Sequence, residues 1–379
     1  MCRAQPLQST SFGRDFRPTP ELPQGRHHEQ SKACRPTTPM AVCGEGNCPS
    51  HPREITNSIK VLARQREWER ALGLWMDMLE LKSEPDVICF SAMMSACEKG
   101  AQWARALGFL KEMQETGVQS DVISCNTLIS ACEKGEQWEK SLAMLIGMQK
   151  QALQPDVVSF NAAISACEKG GQWERALGVL AGMPEQRLIP NVRTCNAAIS
   201  ACGKGEQWAW AAMLLTEMQQ RGLEPDVVSF SAAINACAKG EQWGWAVRLL
   251  TEMKQQGLTP DLISFSAAIS ACEKGGQWDY ALMILTEMRR HGVESDVISF
   301  NAAISACEKG EKWELAVWVF RRMQEERLIP DIISCNSLIS ACSKGEQWER
   351  ALSTLTEMHY HSLHPNVISF NAAISACEK

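Results

Sequence analysis

An Asp or Asn anchor returns every 35 residues from residue 86 onward, at Asp86, Asp121, Asp156, Asn191, Asp226, Asp261, Asp296, Asp331 and Asn366, with no insertion or deletion between copies. A period this strict admits stacked, near-identical units, each too small to bury its own apolar face and each covered by its neighbours. It overrides the two or three globular domains that 379 residues would otherwise suggest. The unit Val157 to Asn191 shows what one copy contains. Phe160, Ala163, Ile164 and Cys167 recur at spacings of three and four, and so do Trp173, Ala176, Leu177, Leu180 and Met183. These are the apolar stripes of two amphipathic helices.

Punctuation between the stripes agrees with two helices per unit. Asp156 or Ser159 can cap the first by accepting a backbone N–H bond. Gly170 is expected to end it in the left-handed conformation. In most units Gly and Pro, as at Gly222 and Pro225, then break the chain before the next anchor. Each helix spans about 12 residues, near the lower limit for a helix alone in water, so stability has to come from stacking. Nine tryptophans, one per unit from Trp68 to Trp348, are expected to supply large buried faces between helices; a ladder for stacking bases is the competing role.

Seventeen cysteines suggest disulfides or zinc until their register is read. Cys97, Cys132, Cys167, Cys202, Cys237, Cys272, Cys307, Cys342 and Cys377 occupy one repeat position. Equivalent residues on stacked helices lie about 8 to 10 Å apart, too far to bridge, so these are buried free thiols. Cys43 and Cys48 have no second pair and read as unpaired tail thiols. His359, His361 and His364 fall across a helix end without a Cys or carboxylate set, which reads as solvated histidines. No cofactor, metal or catalytic constellation is expected, and the chain reads as a non-enzyme. No apolar run approaches the ~18 residues that would span a membrane.

The organisation along the chain follows. Residues 1–51, rich in Pro, Ser, Thr, Gln and Gly and without helical periodicity, read as a disordered segment. Their Arg and Ser suggest an organelle transit peptide, against which stand Asp15, Glu21, Glu29 and Glu45. Residues 52–86 form a degenerate, capping repeat in which Trp68, Ala71, Leu72 and Met78 are in register. Eight complete units occupy 87–366, and a ninth begins at Val367 with one helix up to Lys379.

This pattern resembles the pentatricopeptide repeat family: helical hairpins of 35 residues, Asn five residues into the unit, Gly between the helices, Met near the end of the second, and Pro-Asp before the next unit. The resemblance covers residues 52–379. It implies an all-α fold, a right-handed α-solenoid superhelix of helix-turn-helix repeats whose first helices line a groove for single-stranded RNA. Two side chains per unit would then select one base. The first is the fifth residue after the anchor: Thr56, Ser91, Asn126, Asn161, Asn196, Ser231, Ser266, Asn301, Asn336 and Asn371. The second is the anchor that closes the same unit, from Asp86 to Asn366. Family preferences for these pairs, read in chain order, imply about nine nucleotides, 5′-GGUCUGGUC-3′, with each C tolerating U.

The resemblance further implies an apolar wedge beside each base, carried here by Ile88, Ile123, Val158, Val228, Ile263, Ile298, Ile333 and Ile368, with Arg193 interrupting the row. It also implies phosphate contacts from Lys99, Lys134, Lys169, Lys204, Lys239, Lys274, Lys309 and Lys344. Those lysines have a second reading, since Lys near a helix C-terminus is favoured by the macrodipole. A net charge of −6 argues against binding by diffuse phosphate attraction and leaves room for a local basic row. The function implied is sequence-specific binding of single-stranded RNA in an organelle, chloroplast or mitochondrion, serving transcript stabilisation, processing, editing or translation, with recruited processing or editing enzymes as partners. The alternative is an α-solenoid scaffold for proteins.

Overall fold

The computed structural model describes residues 52–81, 84–360 and 363–378; residues 1–51, with the transit-peptide reading and the Cys43 and Cys48 pair, lie outside them. Among the described residues there are 19 α-helices, one short 3-10 helix and no strand. The first helices of successive hairpins are Pro52–Gln65, Val87–Lys99, Val122–Lys134, Val157–Lys169, Val192–Lys204, Val227–Lys239, Leu262–Lys274, Val297–Lys309, Ile332–Lys344 and Val367–Cys377. The second helices each start on the repeated tryptophan, from Trp68–Glu80 to Trp348–Tyr360. One departs: Trp173–Gly182 stops early and passes into a 3-10 turn at Pro184–Gln186, because Pro184 has no N–H to continue the ladder.

The packing is asymmetric. Every first helix packs on the first helix of the next unit, and every second helix packs on its own first helix and the following one. Successive second helices stand further apart and meet through side chains: Trp75 against Phe109, Trp243 against Tyr280 at 5.2 Å between ring centres, and Lys254 paired with Glu287 at 2.6 Å. The first helices therefore form a continuous inner layer, and the array is an α-solenoid curved around it. Small residues permit that close approach: Ala131, Ala166, Ala201, Ala236, Ala271, Ala306 and Ala341 are wholly buried, as are Cys132, Cys167, Cys202, Cys237, Cys272, Cys307 and Cys342. Phe90, Phe230, Phe265 and Phe300 fill the space between layers, each contributing about 1.5–3 kcal/mol by burial. All the described cysteines are free thiols, buried except for Cys377.

Two sequence expectations need correction. Gly170 is not left-handed: its φ is −78°, and the left-handed residue is the next one, Gly171, at φ +67°. In other units that next position holds Glu136, Glu206, Glu241, Glu311 or Glu346, so the turn tolerates a side chain there. What demands glycine at residue 170 is contact. A Cβ on Gly170 would lie 2.4 Å from Cδ1 of Trp138 in the preceding unit, and the same overlap recurs from Gly100 against Trp68 to Gly345 against Trp313. The tryptophans accordingly sit half-buried along the edge of the inner layer, with Trp348 half exposed, and are not the enclosed faces that their size suggested.

Candidate nucleic-acid interface

The start of each first helix is built by its anchor. Asp156 is extended at φ −105° and its Oδ1 accepts from the Ser159 amide at 2.9 Å, while the Asp156 amide donates to Ser159 Oγ at 3.1 Å. Asp86, Asp121, Asn191, Asp226, Asp261, Asp296, Asp331 and Asn366 all accept from the amide three positions on, and the return bond recurs at Asn191, Asp226, Asp331 and Asn366. Burial pushes the Asp156 carboxyl up, but the bonds from Ser159 and Asn126 outweigh it and hold the group below its ordinary value. Asp226, with Ser229 and Asn196, behaves alike. Capping therefore leaves a charged carboxylate on the inner layer.

In several units the fifth residue meets that carboxylate. Asn126 Nδ2 lies 3.1 Å from Asp156 Oδ1, Asn196 Nδ2 3.0 Å from Asp226 Oδ1, and Asn301 Nδ2 3.1 Å from Asp331 Oδ1. Asn336 approaches Asn366 Oδ1 at 3.4 Å. Across 30 residues of sequence, the structure thus brings together these four pairs, whereas Thr56 and Asp86, Ser91 and Asp121, Asn161 and Asn191, and Ser266 and Asp296 share no direct hydrogen bond among the described residues. Sequence reasoning missed a third member. The hydroxyl three residues past the anchor donates to the amide oxygen of the preceding unit: Ser159 to Asn126, Thr194 to Asn161, Ser229 to Asn196, Ser334 to Asn301 and Ser369 to Asn336. With its oxygen engaged, each amide turns its NH2 outward, and in the Asp-paired units one N–H goes to the carboxylate and one remains to give. The repetition of Ser or Thr at that position was visible; its reach into the neighbouring unit was not.

The serine units are wired differently. Ser231 Oγ lies 2.6 Å from the Val227 carbonyl, 2.7 Å from Ser264 Oγ and 3.3 Å from Asp261 Oδ1, and Ser264 Oγ lies 2.6 Å from Asp261 Oδ1. Ser91 and Ser266 repeat the arrangement with Ser124 and Ser299. Two hydroxyl protons serve three or more acceptors, so these serines face outward with lone pairs, not protons. Thr56 is buried, its Oγ1 2.9 Å from Cys89 Sγ, which stands where other units have Ser or Thr. Asn371 is exposed on the last first helix.

Beside these pairs runs an apolar row in open solvent. Ile88, Ile123, Val158, Val228, Ile263, Ile298, Ile333 and Ile368 are between 53% and 67% exposed. Arg193 is exposed in the same row. A cavity of about 590 Å3 between two units is lined by Arg193, Asn196, Asp226 and Val228, with Glu168, Val192, Ala197, Ser200 and Ala232 completing it. One wedge position of each neighbouring unit and one polar pair therefore face a single slot.

The lysine row sits at the far end of the same helices, and most of it is neutralised. Lys134 pairs with Glu98 at 2.9 Å, Lys169 with Glu133 at 3.1 Å, Lys204 with Glu168 at 3.3 Å, Lys309 with Glu273 at 2.8 Å and Lys344 with Glu308 at 3.2 Å. Each pair joins one first helix to the next. Of the three clustered histidines, His359 and His361 lie outside the described side chains, and the described residues hold no group of His, Cys, Asp and Glu placed to bind a metal ion. No described helix is long and apolar enough to cross a membrane.

Comparison with known proteins adds a common origin for the pattern. Models described as pentatricopeptide repeat domain match residues 109–170, 143–205 and 283–345. Those of the PPR repeat family match 190–239 and 330–379, and a PPR repeat model matches 88–118, 228–258 and 263–293. No curated protein matches the chain in sequence. Among solved structures, the pentatricopeptide repeat protein PPR10 from maize is similar, at 25% identity and a TM-score of 0.60, over 85% of this chain and 46% of that one. PPR10 in complex with an 18-nt psaJ RNA element is similar in fold at 19% identity, with a TM-score of 0.59 over 85% of this chain and 52% of that one. The chain spans about half the length of PPR10.

Proposed function

The chain belongs to the pentatricopeptide repeat family, and from that premise we propose that its inner layer binds single-stranded RNA, one base to each slot between adjacent wedge residues. The observation that carries the reading is the exposed apolar row beside the polar pairs. Eight Ile and Val side chains left in water at one repeat position make a poor surface for a solvated scaffold and good walls for flat, unstacked bases.

The hydrogen-bond wiring supports a base preference. An Asn with a spare N–H beside an Asp carboxylate offers one donor and one acceptor, which complements the O4 and N3–H of uracil. Asn beside Asn offers more donors and suits the acceptors N3 and O2 of cytosine. A serine whose proton is held inside the protein, beside Asp, offers acceptors only, and suits the N1–H and N2–H2 of guanine. On these grounds the units from Ser91 to Asn336 support the order G-U-C-U-G-G-U-C, and Thr56 with Asp86 would add a leading G. Thr56 and Ser231 are the most buried of these side chains, which gives their two positions less access to a base than the others.

Residues 52–86 act in this reading as a cap, and the array serves organellar RNA metabolism without chemistry of its own, by shielding transcripts or exposing them to processing and editing enzymes. The test is a change of code. Asn161→Thr with Asn191→Asp should move the preference at that one base from pyrimidine to guanine in a selection from random RNA. An unchanged preference would sink the reading.

A further inference from the structure

The lysine row is uniform in sequence and uneven in charge. Five of its members are held in ion pairs by a glutamate located 36 residues earlier on the neighbouring first helix. The glutamates are themselves fixed: Ser130 donates to Glu98 at 3.0 Å, Ser200 to Glu168 at 2.7 Å and Ser340 to Glu308 at 2.7 Å. Lys99 has Ala63 at the glutamate position and forms no ion pair among the described residues, and two consecutive units in the middle of the array break the pattern as well. The glutamate position there holds Gly203 and Ala238, so Lys239 and Lys274 form no ion pair among the described residues. The loss of the carboxylate goes with tight packing, since a Cβ on Gly203 would stand 3.3 Å from Cβ of Ala236.

We propose that the array grips the nucleic-acid backbone unevenly, through the unpaired Lys239 and Lys274 as a central phosphate clamp and Lys99 as a tether at the first complete unit, while the paired lysines contribute no net attraction. This rests on the RNA reading above and adds where the phosphates are held. A cation already balanced by a fixed carboxylate at about 3 Å releases no counterion when phosphate arrives, and the carboxylate repels the newcomer. An unpaired lysine suffers neither loss. The nucleotides facing Ser231 with Asp261 and Ser266 with Asp296, on the helices that end in Lys239 and Lys274, are therefore the ones most firmly tethered, and binding nucleates there before the flanking units close on their bases.

The experiment measures affinity for a single-stranded RNA carrying 5′-GGUCUGGUC-3′, and for its scrambled form, across a salt series. Lys239→Ala with Lys274→Ala should weaken binding roughly tenfold and reduce the slope of log affinity against log salt by about 0.7 per lysine. Glu98→Gln with Glu133→Gln keeps an acceptor for Ser130 and frees Lys134 and Lys169; it should tighten binding and steepen the slope by a similar amount. All four positions are at the surface or part-exposed, and a thermal melt run alongside excludes unfolding. If both double variants match the unmodified protein in slope while it still binds RNA, the clamp is overturned and the RNA reading stands. If the unmodified protein binds neither RNA, the RNA reading itself falls.

Discussion

The indole of Trp138 lies over Gly170, 32 residues further on in the next unit, so closely that a methyl group there would come within 2.4 Å of Trp138 Cδ1. Each unit is thus seated on its successor by a ring resting on bare backbone. Gly170→Ala forces the ring or the helix end to move, and should destabilise the array by about 1–3 kcal/mol. Trp138→Ala in the same chain should recover part of that loss, because the clash is with the ring. Gly73→Ala, at a second-helix position where a Cβ meets nothing within 4 Å, should be neutral or slightly stabilising. Denaturant titration of the four chains checks the series; equal effects at Gly170 and Gly73 would remove the contact as the reason for glycine.

A stabilising change is available at Ser141. Its hydroxyl is fully buried and has no hydrogen-bond partner, whereas the matching positions are Ala106, Ala176, Ala211, Ala246, Ala281 and Ala316, all wholly buried. Ser141→Ala removes a desolvated polar group without changing the backbone, and should raise stability by about 1–2 kcal/mol. A midpoint that fails to rise in denaturant would mean the hydroxyl is hydrated.

The hydroxyl three residues past each anchor is expected to set specificity through the amide it holds. Ser159→Ala frees Asn126 to turn its oxygen outward, so the unit can no longer distinguish donor from acceptor on the base. Discrimination between uracil and other bases at that position should fall about fivefold, the worth of one hydrogen bond of about 1 kcal/mol. Ser159→Thr should keep it, since Thr194 already makes the same bond to Asn161. Competition binding with RNAs substituted at one base measures both.

Stability should fall steeply in alkali. Burial pushes the thiols of Cys202, Cys237, Cys272, Cys307 and Cys335 up to about 12, and those of Cys97, Cys167, Cys195 and Cys342 to about 11. In the unfolded chain a thiol ionises near 8.5, so the folded state holds protons that the unfolded state releases. The contribution is complete below about pH 8.5 and is lost as pH rises toward the folded value, at about 1.4 kcal/mol per thiol per pH unit. Denaturant midpoints taken at pH 7.5 and 9.5 in the presence of a reductant test this. Cys237→Ala should flatten the dependence, and an unchanged slope would show that the thiols do not cause it.

How much was legible in the sequence differs by kind of interaction. The helices were, because apolar residues three and four apart mark a face, and an Asp before that face marks its start. The pairing of Asn126 with Asp156 was legible only through family resemblance, although the distance now stands at 3.1 Å. Three relations were hidden. Gly170 looked like a residue chosen for its own φ, when the constraint came from a ring in another unit. Ser159 looked like a cap for its own helix, and its longer reach to Asn126 has no signature in a linear string. Glu133 and Lys134 are adjacent in sequence, so a reader places them in one turn, yet Lys134 pairs with Glu98 and Glu133 with Lys169. Contacts between equivalent faces of identical units leave no extra mark on the repeat.

The second helices, packed closely on two first helices and joined to one another only through side chains, as at Trp243 with Tyr280 and Lys254 with Glu287, give the array the mechanics of a spring with soft outer coils. Lengthening it along its axis draws on those long side-chain bridges first, while the stacked first helices act as the line about which it flexes. Strain applied at one turn can therefore be shared by its neighbours in small increments, and the spacing of the slots can follow the rise of a strand without any single interface giving way.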